Sequence, residues 1–440
     1  MSTTASPTTP PLDTQGASPL AHLSEQQLEE LAREFDAIRD RVMDELGDRD
    51  RRYIESMIEM QRRLAVLGRV LLLASRNRAG WWAGTASLSA AKILENMEIG
   101  HNVMHGQWDW MNDPRIHSST WDWDTASTAE AWKHSHNYVH HTYTNIRGKD
   151  KDLGYEIMRI DPQQKWNPVY LAQPVYNLIL AALFEWGVAF HDLDFEAIRK
   201  GKKSKSQVKR ELKGIAGKAK SQVVKDYIAW PLVSALAAAA VDAGLQARRE
   251  AKQPRGMLGR ARGAFANQRF GKAPRQSRVR PVAAVALESG AKTFRATAKA
   301  NATANIVRNV WAYAIIFCGH FPDQTYTFSP KEVENESRGG WYIRQLTGSA
   351  NIEGGPMFHI ASGNLGYQVE HHLFPDMPSS RYAEIAPQVK DVCERYGLPY
   401  NSGPFSQQLG MVQRTILRLA LPGGKPRPKP GPYRGENGAG

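Results

Sequence analysis

The chain has 440 residues, a formal net charge of +13 and two cysteines, Cys318 and Cys393. That length fits one large domain or two modest ones, and two isolated cysteines exclude a disulfide framework, a thiolate zinc site and an iron–sulfur cluster. The positive charge suits nucleic acid, an anionic membrane surface or an acidic protein partner, while the mean hydropathy of −0.49 is that of a soluble protein.

In chain order, residues 1–23 are rich in Ser, Thr and Pro and lack an apolar core. They are not a secretory signal and are expected to form a disordered tail. Residues 24–63 place Leu28, Leu31 and Phe35 at helical spacing behind Ser24, an N-cap residue, and predict an amphipathic helix or helical hairpin. Residues 64–92 are apolar but carry Arg69, Arg76 and Arg78. They read either as a membrane hairpin whose arginines reach the interface or as a buried soluble helix.

Residues 166–184 carry no charge and are just long enough to span a bilayer, which makes them the strongest membrane candidate. Residues 227–241 and 309–322 are weaker, because each uncharged core falls short of the ~20 residues a spanning helix needs. Two basic stretches, 199–225 and 248–280, flank the middle candidate. Residues 241–292 are expected to be a flexible basic insertion within a domain covering 24–405. The C-terminal segment, 406–440, is expected to be disordered after about 422, where Pro, Gly, Lys and Arg recur.

Eight of the thirteen histidines cluster. His101 and His105 are four apart, and on a helix that spacing puts both imidazoles on one face. In His134-Ser-His136-Asn-Tyr-Val-His140-His141, His136 and His140 share a face and His141 lies about 100° further round. The last cluster is Gln368-Val-Glu-His371-His372. Any one of these pieces is weak evidence, but three in one chain point to metal. Imidazole suits zinc, copper, iron and nickel. A single zinc site takes three or four protein ligands, so seven or more histidines suggest two metals. No HExxH is present, and the one Glu-x-x-His pair near the boxes, Glu98 with His101, has no counterpart, unlike soluble di-iron bundles.

These boxes resemble the membrane fatty-acid desaturase family, whose pattern is HxxxH, then HxxxHH or HxxHH, then HxxHH or QxxHH. The surrounding sequences are similar too: KILENMEIGHNVMHGQWDW, WKHSHNYVHHTYTN and GNLGYQVEHHLFPDMPSSRY. The likeness is greatest to the actinobacterial acyl-CoA and linoleoyl-CoA types. The resemblance implies an all-α fold, a bundle of about four transmembrane helices with a cytosolic helical cap holding a histidine-rich di-iron site. It implies a cell-membrane, multi-pass enzyme with its active site on the cytosolic side. The implied reaction uses dioxygen and two external electrons to place a cis double bond in a long-chain acyl-CoA or acyl-lipid. His101, His105, His136, His140, His141, His371 and His372 are the implied ligands of two iron ions, and His320 in IIFCGHFPD matches an extra ligand. Gln368 stands where many relatives have histidine, as a supporting residue or weak ligand.

His134, His359, His22, His117 and His191 are expected to be structural or surface residues. Asp109, Asp113, Asp150, Asp152, Glu370 and Asp376 lie near the boxes as candidates to orient imidazoles, and spacing does not say which do so. Trp108, Trp110, Trp121 and Trp123 suit an acyl channel, an interfacial belt or the core of a cap. For all boxes to share one side of a membrane, the crossings between the second and third must be even in number, so one of the three candidate segments does not cross. The chain has no HPGG haem motif, cysteine cluster or GxGxxG fingerprint, which implies a separate electron donor, a ferredoxin or reductase. Competing readings are a di-iron hydroxylase of an alkyl or lipid chain, a soluble zinc-dependent hydrolase, and a basic nucleic-acid-binding protein; the last lacks a binding module, so no nucleic-acid partner is expected.

Overall fold

The structure, a computed structural model, describes residues 18–251 and 280–425 together with Arg427 and Lys429. The expected tail up to residue 17, the middle of the basic insertion (252–279) and most of the chain beyond 425 lie outside the described residues. The fold is helical, and among the described residues the only sheet is one short parallel pair, Asn351–Glu353 with Ser402–Pro404. The chain divides into two compact units. One comprises Met1–Glu59, Ile93–Lys218 and Arg308–Gly440, the other Met60–Lys92 and Ala219–Val307.

The first unit opens with helix Glu25–Asp44. Its start is the one the sequence indicates: Ser24 Oγ accepts from the backbone N–H of Gln27, and the Gln27 side chain accepts from that of Ser24. This reciprocal cap satisfies two backbone donors that a helix N-terminus leaves open. Leu31, Phe35, Ile38 and Val42 form its buried stripe and meet Tyr342, Leu346, Val369, Phe374 and Val389. Residues 18–23, expected to be tail, instead make a short turn at Pro19–Ala21, with Leu20 and Leu23 packed on that core. A second core gathers Met97, Tyr155, Phe184, Ile315, Phe317, Val412 and Ile416. Two of these come from the amphipathic C-terminal helix Phe405–Ala420. Beyond it, Lys429 is buried, with its Nζ donating to the carbonyls of Asp323 and Thr325.

The strongest sequence candidate for a membrane span does not form one helix. Residues 166–184 break into a 3-10 turn, Pro168–Ala172, and a ten-residue helix, Gln173–Ala182. Pro168 and Pro174 each start an element, as a residue without an N–H favours, and Leu183 leaves helical geometry at φ −114° and ψ 29°. Ten helical residues reach about 15 Å, half a hydrocarbon core. Among the described residues one helix is long and apolar enough to cross a membrane: Lys205–Ala251, which contains the weaker candidate 227–241. Val282–His320 has 39 residues, but Lys, Arg, Asn and Thr dilute its apolar content.

In the second unit, residues 60–72 and 78–92 form a tight helical pair. A Cβ on Gly68 would lie 2.7 Å from Leu88 Cγ, and one on Gly84 would lie 2.8 Å from Leu72 Cγ. Small residues permit this approach, as they do between helices in lipid. Of the two readings of residues 64–92, Arg69 fits the buried one. It pairs with buried Asp226 at 3.1 Å, donates to Asn301 at 2.7 Å and lies over the Trp230 ring. Lys92 meets the same carboxylate at 2.9 Å, and Arg76 pairs with Asp242 at 2.7 Å. Residues 241–251 and 282–292, the ends of the expected insertion, are helical.

Candidate metal centre

The first two boxes sit on π-helical turns. Leu94–His101 carries the first and runs into Asn102–Met104, while Lys133–His140 carries the second and runs into His141–Tyr143. π-helical turns are rare and concentrate at functional sites. Imidazoles four apart come together here: His136 and His140 lie within a π turn, with ring centroids 5.1 Å apart, and His101 and His105 span the α turn that follows one, at 4.6 Å. His371 and His372 lie on the short helix Gln368–Leu373, and His320 is the last residue of its long helix.

The eight expected ligands converge in the first unit. Donor atoms of His101, His105, His136 and His371 lie within 4.8 Å of one another, as do those of His140, His320 and His372. His141 stands between the groups, with its ring 4.7 Å from that of His105, 5.0 Å from that of His371 and 4.6 Å from that of His372.

Five of the eight rings are held at Nδ1. Nδ1 of His101 meets Asn102 Oδ1 at 3.2 Å, that of His136 meets Asp152 at 3.3 Å, and that of His140 meets Asp150 at 3.1 Å. Nδ1 of His371 meets the Tyr382 hydroxyl at 3.2 Å, and that of His372 meets Gln345 Oε1 at 3.0 Å. Several acceptors are themselves fixed. Tyr382 donates its proton to the carbonyl of Phe374, and the Gln345 amide donates to the carbonyl of His141. A proton on each Nδ1 leaves Nε2 as a lone-pair donor. The Nε2 atoms of His105, His136, His140, His141, His371 and His372 are buried without a hydrogen-bond partner among the described residues, as are Nδ1 of His320 and Oε1 of Gln368. Buried polar atoms are ordinarily paired, so such a concentration of inward-facing orphans fits metal ions. Gln368 contacts His320 through its amide nitrogen at 3.3 Å.

Electrostatics agree. Burial pushes His101 down to about 3 and holds His105, His141, His320, His371 and His372 well below the ordinary imidazole value; His136 is also lowered. Burial opposes charge on His140 as well, but the adjoining Asp150 and Asp152 carboxylates outweigh it and raise that group. Neutral imidazole is the form that ligates.

A cavity opens beside these rings. His101, His136, His320 and Gln368 contribute to its wall, with Met97, Trp123, Trp132, Phe184, Val188 and Ile316 as apolar lining. Ser127, Ser135 and Asp192 form a polar margin. An apolar cleft with a few polar groups is the usual form of a small-molecule site.

Of the acids near the boxes, Asp150 and Asp152 support imidazoles. Glu370 binds Asn351 and Tyr400, Asp376 binds Arg39, Asp109 binds Ser118 and Asp113 binds Arg115. Glu98 is fully buried and accepts from Tyr53, Asn364 and Ser379; burial pushes it up to about 8. Trp123 lines the cavity, whereas Trp108 is core, stacked on Tyr53. His359 is structural, stacked on Tyr367, and His117 is a partly exposed partner of Ser119. His191, expected at the surface, is a correction: its side chain is 6 % exposed and Nε2 lies 2.9 Å from Asp152. Spacing signals none of His191, Gln345 or Tyr382, which reach the boxes only through tertiary structure; Asn102 alone is betrayed by adjacency.

The fatty acid desaturase family profile matches residues 79–248 and 250–404. The chain is 44% identical over 402 residues to a protein of Mycobacterium tuberculosis named NADPH-dependent stearoyl-CoA 9-desaturase, covering 91% of this chain and 82% of that one. Over 89 residues it is 39% identical to human fatty acid desaturase 3, covering 20% of each. A 102-residue stretch, 23% of the chain, is 35% identical to the acyl-lipid (9-3)-desaturase of Borago officinalis, of which it covers 21%. No solved structure matches the chain at a significant level. With most of its length matched by the profile and nearly all of it by a full relative, this chain belongs to the fatty acid desaturase family.

Proposed function

We propose that this protein is a multi-pass membrane acyl-CoA desaturase that places a cis double bond in a long-chain acyl group. The observation carrying the proposal is the pair of histidine groups, six of whose seven rings keep a buried nitrogen without a partner among the described residues. The eight box histidines would hold two iron ions, His101, His105, His136 and His371 around one and His140, His320 and His372 around the other, with His141 between. When bound, such a centre supplies the oxidation: a CH2–CH2 unit gives up two hydrogens, and dioxygen with two electrons and two protons leaves as two waters.

The chain's own residues supply position and exclusion. The apolar wall of the cavity holds a methylene run beside the histidines and keeps bulk water from it. The ring hydrogen bonds fix which imidazole nitrogen faces the metal. Acyl-CoA is favoured as substrate, and NADPH as the ultimate electron source, by the M. tuberculosis relative's name; a separate reductase would deliver the electrons. Helices Lys205–Ala251 and Val282–His320 are assigned as the two membrane crossings between the second and third boxes, an even number that keeps the histidines together on the cytosolic side.

The test is elemental analysis of detergent-purified protein together with mass spectrometry of fatty acids in an expressing host. About two irons per chain with a new monounsaturated acid, first sought at C9, supports the reading. A product heavier by one oxygen assigns hydroxylation, and one tightly bound zinc without iron after reconstitution rejects the centre.

A further inference from the structure

Support for the two histidine groups converges on one carboxylate. Asp152 Oδ2 lies 3.3 Å from Nδ1 of His136, in the first group, and 3.8 Å from Nδ1 of His140, in the second. Its backbone N–H donates to Asp150 at 3.0 Å, and Asp150 takes Nδ1 of His140. The other oxygen, Oδ1, receives His191 Nε2 at 2.9 Å.

Asp152 belongs to an irregular stretch. Gly154, Tyr155 and Glu156 follow with positive φ, so no helix or strand sets the direction of its side chain. His191, by contrast, ends helix Phe184–His191, and its ring lies edge-on to Tyr155 at 5.2 Å. It is buried, and its Nε2 is committed to the carboxylate rather than to either histidine group. No sequence motif includes it.

We propose that His191 is a positioning residue of the metal centre: through Asp152 it fixes His136 with its proton on Nδ1 and its Nε2 lone pair toward the metal. Without that donor, Asp152 is left with an oxygen unpaired in a largely enclosed site, and the carboxylate is free to turn away from His136. His136 then loses the acceptor that selects its tautomer, and the proton can move to Nε2, where it blocks ligation. One outer histidine thereby supports both groups, because the same carboxylate also borders His140. This inference rests on the di-iron reading above.

The experiment compares His191→Leu, which keeps bulk and removes the donor, with His191→Gln, which keeps a donating nitrogen. Full-length protein in detergent is loaded with ferrous iron without oxygen, and the chelator concentration that strips half of it is recorded. The metal-free melting temperature is read in parallel. Leu is expected to lower that concentration ~10–100-fold, as loss of a ligand's outer partner does, with Gln within about threefold of wild type. Equal loss in both variants reduces His191 to packing and overturns the proposal, as does wild-type retention in the Leu variant. If the Leu variant does not fold, Asp152→Ala is used, because it removes the acceptor through which His191 acts on His136; undiminished retention there overturns the proposal. Failure of wild-type protein to hold iron rejects the di-iron reading itself, a result distinct from all of these.

Discussion

Both carboxylate oxygens of Asp150 lie 3.1 Å from Nδ1 of His140. The carboxylate is itself held by the backbone N–H groups of Asn145 at 2.7 Å and Asp152 at 3.0 Å. It is therefore a fixed acceptor, and the ring it holds keeps Nε2 inward. Asp150→Asn is expected to lower iron affinity ~10–100-fold, measured by chelator titration, with helical circular dichroism unchanged.

Removal of a ligand is more severe. His105 and His372 belong to different histidine groups. His105→Ala and His372→Ala should each abolish turnover and lower bound iron toward one per chain. Elemental analysis with fatty-acid profiling checks this, and full activity in either variant counts against the ligand assignment.

The cavity makes a separate prediction. Ala312 lines it one turn before Ile316 on the helix ending at His320. Ala312→Trp fills the space beside the centre without touching a histidine. Overpacking costs about 1–3 kcal/mol, so the variant should fold. Iron content is expected to hold while activity on an 18-carbon acyl-CoA falls at least about tenfold, a difference of roughly 1.4 kcal/mol in the barrier.

Asp192 gives a pH dependence. Burial pushes it up to about 6, against hydrogen bonds from Ser127 and Ser135 that favour the ionised form. Between about pH 4 and 6 the unfolded chain releases this proton first, so the folded state binds more protons and loses stability as pH rises. The cost is fully present above that window and absent below it, up to about 3 kcal/mol. Asp192→Asn should therefore melt higher than wild type at pH 7 and lose that advantage near pH 4, in metal-free protein.

Arg344 locks the end of the second box to its surroundings. It forms two 2.7 Å bonds to Glu336 and donates to the carbonyls of Thr142 and Thr144. Arg344→Met leaves those acceptors without their donor. The expected destabilisation is about 3 kcal/mol, read by denaturation of the metal-free protein.

The convergence of the box histidines was legible in the sequence because spacing on one helix is local information. His101 with His105, and His136 with His140, needed only the helical repeat. The cap at Ser24 was legible for the same reason. His191 was not, since it lies 39 residues from Asp152 and stands in an ordinary apolar stretch. Residues 166–184 misled because charge and length count composition, whereas two prolines and the break at Leu183 set the backbone. The two readings of Arg69 could not be separated from the sequence because Asp226, its partner, is 157 residues away.

The π turns explain why one site tolerates two spellings. An α-helix advances about 100° per residue, so residues three and four apart fall about 60° and 40° from alignment, on opposite sides. A π turn takes in one residue more than an α turn. Deleting a residue from Lys133–His140 would restore an ordinary turn and shorten the spacing from four to three, with both imidazoles still facing inward. On this geometry, the HxxxHH and HxxHH patterns differ by the one residue a π turn takes in, and a length change at this point need not part the two imidazoles.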